Sequence, residues 1–186
     1  MNINIVILAF IALSGMTSCA DEKKKEVEVI EVEETQQNPT DAQKDQVVLK
    51  EAKVDFENEG TEMVFQSYLE VKNALVATDA VKAKEAARKL NESLKDISAE
   101  DSALKASEAI ANTEDINKQR EAFSPLSAEI EKLIEGSVSS GAVYQQYCPM
   151  AFEGKGGYWL STSKEIRNPY YGTKMLKCGS VEKTFE

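Results

Sequence analysis

Thr61–Ile97 reads T-E-M-V-F-Q-S-Y-L-E-V-K-N-A-L-V-A-T-D-A-V-K-A-K-E-A-A-R-K-L-N-E-S-L-K-D-I, and its two apolar stripes decide the fold class. Val64, Phe65, Tyr68, Leu69, Lys72, Leu75 and Val76 recur at intervals of three and four, which gathers them on one side of a helix. Thr61, following Gly60, is the expected N-cap. Asp79 is expected to cap a second helix that turns Ala83, Ala86, Ala87, Leu90, Leu94 and Ile97 inward, its small residues allowing close approach to a neighbour. Ser98 with Asp101 three residues later resembles a capping box for a shorter third helix bearing Leu104 and Ile110. Thr113 is the expected cap of a fourth, with Ile116, Phe123, Leu126, Ile130, Leu133 and Ile134 on one face and Gly136 just past its end. Pro125 should kink that helix, because proline cannot donate to the carbonyl of Glu121. Connections of a few residues make successive helices antiparallel. The expectation is therefore a mainly α chain, an up-and-down bundle of about four helices over residues 56–136, with a small aromatic, β-containing C-terminal subdomain packed on it over 137–186.

After Gly136 the texture becomes Gly, Ser and aromatic. Val143–Tyr147 and Tyr158–Leu160 read as short strands, with turns at Gly154–Gly157 and Asn168-Pro169. Tyr147, Phe152, Tyr158, Trp159, Tyr170 and Tyr171 read as packing for the small subdomain rather than as a ligand pocket.

The same region holds four sulfur side chains: Cys148 and Met150 at the front, Met175 and Cys178 at the back. Pro149 biases Cys148 toward an extended backbone, where residues two apart face the same way, while Met175 and Cys178 suit one turn. Thiolate and thioether ligands select Cu(I) and similar soft cations, and a chain with 0 His lacks the usual partner of zinc. A second reading stays open beside that one. Cys148 and Cys178 can close a disulfide around about thirty residues, a stabilisation on the order of 3 to 4 kcal/mol, with the methionines as ordinary core residues.

The runs Y-C-P-M-A-F, G-Y-W-L-S, I-R-N-P-Y-Y-G and K-M-L-K-C-G resemble an uncharacterised bacterial domain found in envelope lipoproteins and appended to the membrane-fusion (adaptor) subunits of copper and silver efflux pumps. The resemblance covers roughly Gly60 to the C-terminus. It brings no established activity with it. Its company implies Cu(I) or Ag(I) as the cation, Cys148, Met150, Met175 and Cys178 as candidate metal ligands, and metal-efflux components as candidate partners.

At the other end, Ile3–Leu13 is a short apolar run ending in small residues and followed by charge, the pattern of a secretory signal over residues 1–18. Met16-Thr17-Ser18 precedes Cys19 as a lipoprotein box would, so Cys19 is the expected lipidation site. Acyl chains there would hold the chain at a membrane, placing it in the cell envelope, facing the periplasm or the cell surface. Residues 19–55, with the run E-V-E-V-I-E-V-E-E, are too charged to bury a core and read as an acidic flexible tether.

A net charge of -10 argues against a nucleic-acid partner, since phosphate binding needs basic surface. The interleaved Arg88, Lys89, Lys95, Lys118 and Arg120 read as a solvated helix face. Nothing resembles a phosphate-binding loop, and Cys148 would lack an imidazole base as a nucleophile, so no enzyme is expected. Two functions remain: a membrane-anchored soft-metal accessory protein of the envelope, or a non-enzymatic adaptor lipoprotein whose C-terminal subdomain, pinned by a Cys148–Cys178 disulfide, meets a protein partner.

Overall fold

The structure is a computed structural model and describes residues 52–186. These lie within one compact unit, Lys44–Glu186. The signal, lipidation and most of the tether expectations, Cys19 among them, fall outside the described residues.

Four long helices lead the domain: α1 (Glu59–Val76), α2 (Ala80–Asp96), α3 (Asp101–Ala111) and α4 (Ile116–Ile134). Each packs on the next, and α4 returns to α1, giving the up-and-down bundle the periodicity predicts. The stripes point inward: Val64, Phe65, Tyr68 and Leu75 of α1, Ala83, Ala87, Leu90 and Leu94 of α2, Ile110 of α3, and Phe123, Leu126, Ile130 and Ile134 of α4 are buried. Alanines on α2 and α3 keep the helices close. At the start of α1, a Cβ on Gly60 would sit 2.5 Å from the Ile97 side chain, so that approach requires glycine.

Helix ends depart from expectation in an instructive way. The cap of α1 is Asn58, whose side-chain oxygen accepts from the amides of Gly60 (2.7 Å) and Thr61 (3.4 Å), while Thr61 itself joins the buried stripe. Asp79 caps α2 as expected, accepting from the Lys82 amide at 3.0 Å. Ser98 does not open α3. It closes α2 from the left-handed region (φ 53°), with its amide bonded to the Lys95 carbonyl and that of Ala99 to Leu94. Thr78 (φ 58°) ends α1 in the same way, with Thr78 bonded to Leu75 and Asp79 to Ala74. The cap of α4 is Asp115, and Thr113 accepts from the Asp115 amide instead. Helix α4 continues past Pro125, which lies inside it.

Two small antiparallel sheets follow. Strands β1 (Asp55–Phe56) and β2 (Val138–Ser140) form a clasp that packs Val54 and Phe56 into the core. Strands β3 (Val143–Cys148), β4 (Gly157–Ser161) and β5 (Ser180–Phe185) form a sheet in the order β4-β3-β5. The first two match the expected strands. The third, with only Phe185 buried, has no apolar alternation to announce it.

Two side chains tie this sheet to the bundle. The Tyr68 hydroxyl accepts from the Leu160 amide (3.0 Å) and donates to Ser127 (2.8 Å), which donates on to the Phe123 carbonyl (2.9 Å). That chain leaves no member of it unpaired inside the core, which is what makes a buried polar network tolerable. Burial raises the Tyr68 phenol well above its ordinary range. Arg120, expected on the solvated face, is buried instead. It donates to the carbonyls of Pro169 (2.8 Å) and Leu75 (3.2 Å) and to the Thr78 hydroxyl (3.0 Å), and burial lowers its pKa. It cross-links the end of α1 to the loop between β4 and β5, and its charge faces the carbonyl end of that helix. The remaining cations fit the solvated reading, as in the exposed Lys89–Glu70 pair at 3.2 Å.

Candidate functional site

Strand register brings the two cysteines together. Cys148 ends β3 opposite Gly157 of β4, and on the other side of β3 the residue before it, Tyr147, lies opposite Ser180. The chain entering β5 must therefore pass beside Cys148, and Cys178 is what passes. The two sulfurs stand 3.0 Å apart, both as free thiols. Gly179 makes the passage possible: at φ 146° it occupies backbone space closed to other residues, and a Cβ there would lie 2.8 Å from the Tyr147 carbonyl and 2.9 Å from Trp159.

The loop that carries Cys178 is organised by Asn168, which is completely buried. Its side-chain oxygen accepts from the amides of Tyr170 (2.8 Å) and Tyr171 (3.1 Å), and its side-chain nitrogen donates to the Cys178 carbonyl (2.8 Å). Its backbone amide bonds the Leu176 carbonyl at 2.8 Å, so one residue holds both ends of the loop. In the sequence Asn168-Pro169 reads only as a turn, without this role. The only signal for it is the residue type, since asparagine bonds backbone groups a few positions on. Around the loop, Tyr170 meets Trp159 edge-on at 5.9 Å, Phe152 at 5.0 Å and Phe123 at 6.1 Å, and its hydroxyl bonds the Tyr158 carbonyl. Of the aromatics expected to pack the subdomain, Phe152, Trp159 and Tyr170 do so at these contacts, whereas Tyr158 is exposed and meets Tyr147 on the other side of the ladder.

The two cysteines are not equivalent. Cys148 is completely buried and fixed in the β ladder, whereas Cys178 is partly exposed and lies between strands. The Cys178 thiol is held above its ordinary pKa, first by its hydrogen bond with Cys148 and then by burial, while a hydrogen bond from the Met150 backbone works the other way.

The methionines join the pair through their backbones. The Met150 amide reaches the Cys178 sulfur, its carbonyl accepts from the Tyr171 hydroxyl, and its side chain is 52% exposed. Met175 is half-buried, and its carbonyl accepts from the Cys178 amide at 3.1 Å, the one-turn arrangement its spacing predicts. After Met150 the chain turns sharply. Phe152 and Glu153 are both left-handed (φ 52° and 58°), a conformation that costs non-glycine residues on the order of 1 to 2 kcal/mol each.

The donor set is thus two thiols in contact, with Met150 and Met175 joined to Cys178 through their backbones. Among the described residues no group of three or more His, Cys, Asp and Glu could hold a metal, so an ion here would rest on the thiols, with thioethers as the only further sulfur. That composition suits a soft cation and no hard one. Bonds of about 2.3 Å would put two thiolates on one ion roughly 3.5 to 4 Å apart, and a disulfide would put them at about 2.05 Å. The observed separation of 3.0 Å lies between, so either state needs a shift of under about an ångström.

Residues 64–141 match the model of a family described as a protein of unknown function (DUF3347). The matched span runs from within α1 through β2 and ends with one residue between it and β3, so it covers most of the bundle but neither cysteine of the pair. No curated protein and no solved structure matches the chain. None of the described helices is long and apolar enough to cross a membrane.

Proposed function

We propose that this chain is a non-enzymatic lipoprotein of the cell envelope, anchored through Cys19, whose reduced Cys148–Cys178 pair binds one soft monovalent cation, Cu(I) or Ag(I), in the service of metal efflux or homeostasis. The observation that carries the reading is the sulfur contact itself: positions thirty residues apart meet at 3.0 Å, with Met150 and Met175 bonded to Cys178 through their backbones. The resemblance of the C-terminal motifs to a domain that accompanies copper and silver exporters adds the choice of cation. Thiolates supply the affinity, and the thioethers make the site softer without adding charge. The anchor rests on the apolar run and small residues before Cys19.

The test is an anaerobic Cu(I) titration against a chromophoric chelator, using full-length chain with Cys19→Ser so that only the pair can respond. One ion per chain is expected, and Cys148→Ser or Cys178→Ser should abolish tight binding. A stoichiometry well below one, or an affinity unchanged in the double variant, would overturn the metal reading. The adaptor reading would then stand. It too has an observation in its favour, because a completely buried Cys148 beside a second sulfur is what a structural disulfide requires.

A further inference from the structure

The inequality of the two cysteines has a chemical consequence that does not depend on any metal. Cys148 is completely buried, and the residues flanking the pair enclose it: Gly157 faces it across the ladder, with Tyr170 and Phe152 packed above that glycine. A reagent larger than water has no route to its sulfur in the native fold. Cys178 is partly exposed, on a loop outside the sheet. It is also 3.0 Å from Cys148, near enough for one sulfur to attack the other with little movement.

We propose that Cys178 is the entry sulfur for thiol–disulfide exchange with a small-molecule disulfide, and that Cys148 is its resolving partner. The reaction balances as two displacements. The Cys178 thiolate attacks one sulfur of the small disulfide, forming a mixed disulfide and expelling one small thiolate. The Cys148 thiolate then attacks Sγ of Cys178, forming the Cys148–Cys178 bond and expelling the second. The two protons given up by the cysteines go to the two departing thiolates, and the small disulfide is the oxidant, reduced by two electrons. Because Cys148 lies against Cys178 from the start, the mixed disulfide is short-lived. The pair therefore closes as a unit, and in closing it withdraws both sulfurs from any other chemistry.

The test uses metal-free, reduced full-length chain carrying Cys19→Ser, exposed to glutathione disulfide under native conditions and read by intact mass and peptide mapping. The chain should lose two hydrogens without accumulating a glutathione adduct. With Cys148→Ala added, a stable adduct should appear on Cys178. With Cys178→Ala instead, adduct formation on Cys148 should be at least tenfold slower until denaturant is added. An adduct on Cys148 formed as fast as that on Cys178, or a persistent adduct on Cys178 with Cys148 intact, would overturn the assignment. Should either alanine variant fail to fold, a brief iodoacetamide pulse on the parent chain decides the order of access. Labelling of Cys178 first supports the proposal, and equal labelling refutes it. Chelator throughout keeps the result separate from the metal titration, so either idea can fail without the other.

Discussion

In the bundle, Leu75, Leu90, Leu94, Ile110, Leu126 and Ile130 are completely buried in one hydrophobic cluster drawn from all four helices, and burial of this kind is apolar and non-directional. In the loop between β4 and β5, Asn168, Tyr170 and Gly179, with Arg120 reaching in from α4, are held by directional bonds or by the absence of a side chain. The first region can exchange one hydrophobe for another of similar volume and keep its shape. The second depends on particular atoms. Cys178 belongs to the second region and Cys148 lies against it, so the geometry of the site is set by a handful of hydrogen bonds laid over a bundle that supplies the bulk of the stability.

The largest effect expected from breaking this arrangement is in the bundle. Leu90→Ala removes a completely buried side chain and should cost about 2 to 5 kcal/mol, read as a lower urea midpoint in far-ultraviolet circular dichroism. Under native conditions it should leave the alkylation rate of Cys178 unchanged, because Leu90 lies in α2 and the loop is held by α1, α4 and Asn168. A matching rise in Cys178 reactivity would show that the two regions do not separate.

Asn168→Ala should do the reverse. It strips the partners from two amides and from the Cys178 carbonyl, at a cost of about 1 to 3 kcal/mol for buried groups left unpaired. The larger consequence is local: alkylation of Cys178 should accelerate several-fold while the helical signal is retained. An unchanged rate would mean that Arg120 and Tyr170 fix the loop without it.

That contrast also explains what the sequence made legible. Apolar residues at three and four specify a bundle because hydrophobic burial needs only the right face, so Val64 to Ile134 could be placed without knowing a partner. The helix ends were harder. Ser98 and Thr78 close helices from the left-handed region, where glycine is usual, and nothing local separates a serine that ends one helix from a serine that begins the next. Strand β5 was missed because S-V-E-K-T-F owes its place to backbone pairing with β3 rather than to a buried face. The sulfur cluster was visible as four residues in two pairs. Its geometry was not, because the meeting of Cys148 with Cys178 follows from strand register and from backbone bonds to Asn168, neither of which leaves a pattern in side-chain chemistry.

The smallest expected effect is the most discriminating. Met150 carries a side chain that is 52% exposed, and what it gives the fold comes from its backbone, through the Tyr171 hydroxyl and the Cys178 sulfur. Leucine keeps the backbone and nearly the same volume, so Met150→Leu should change stability by no more than about 0.5 kcal/mol. It should also leave the exchange between Cys178 and glutathione disulfide as it was, since that reaction uses no thioether. Cu(I) affinity in the chelator titration should fall by several-fold, far less than when either cysteine is lost, because a neutral thioether donates more weakly than a thiolate. A variant unchanged in all three measurements would leave Met150 as a surface residue whose backbone alone serves the site. The four-sulfur site would then be the dithiol with at most Met175 beside it.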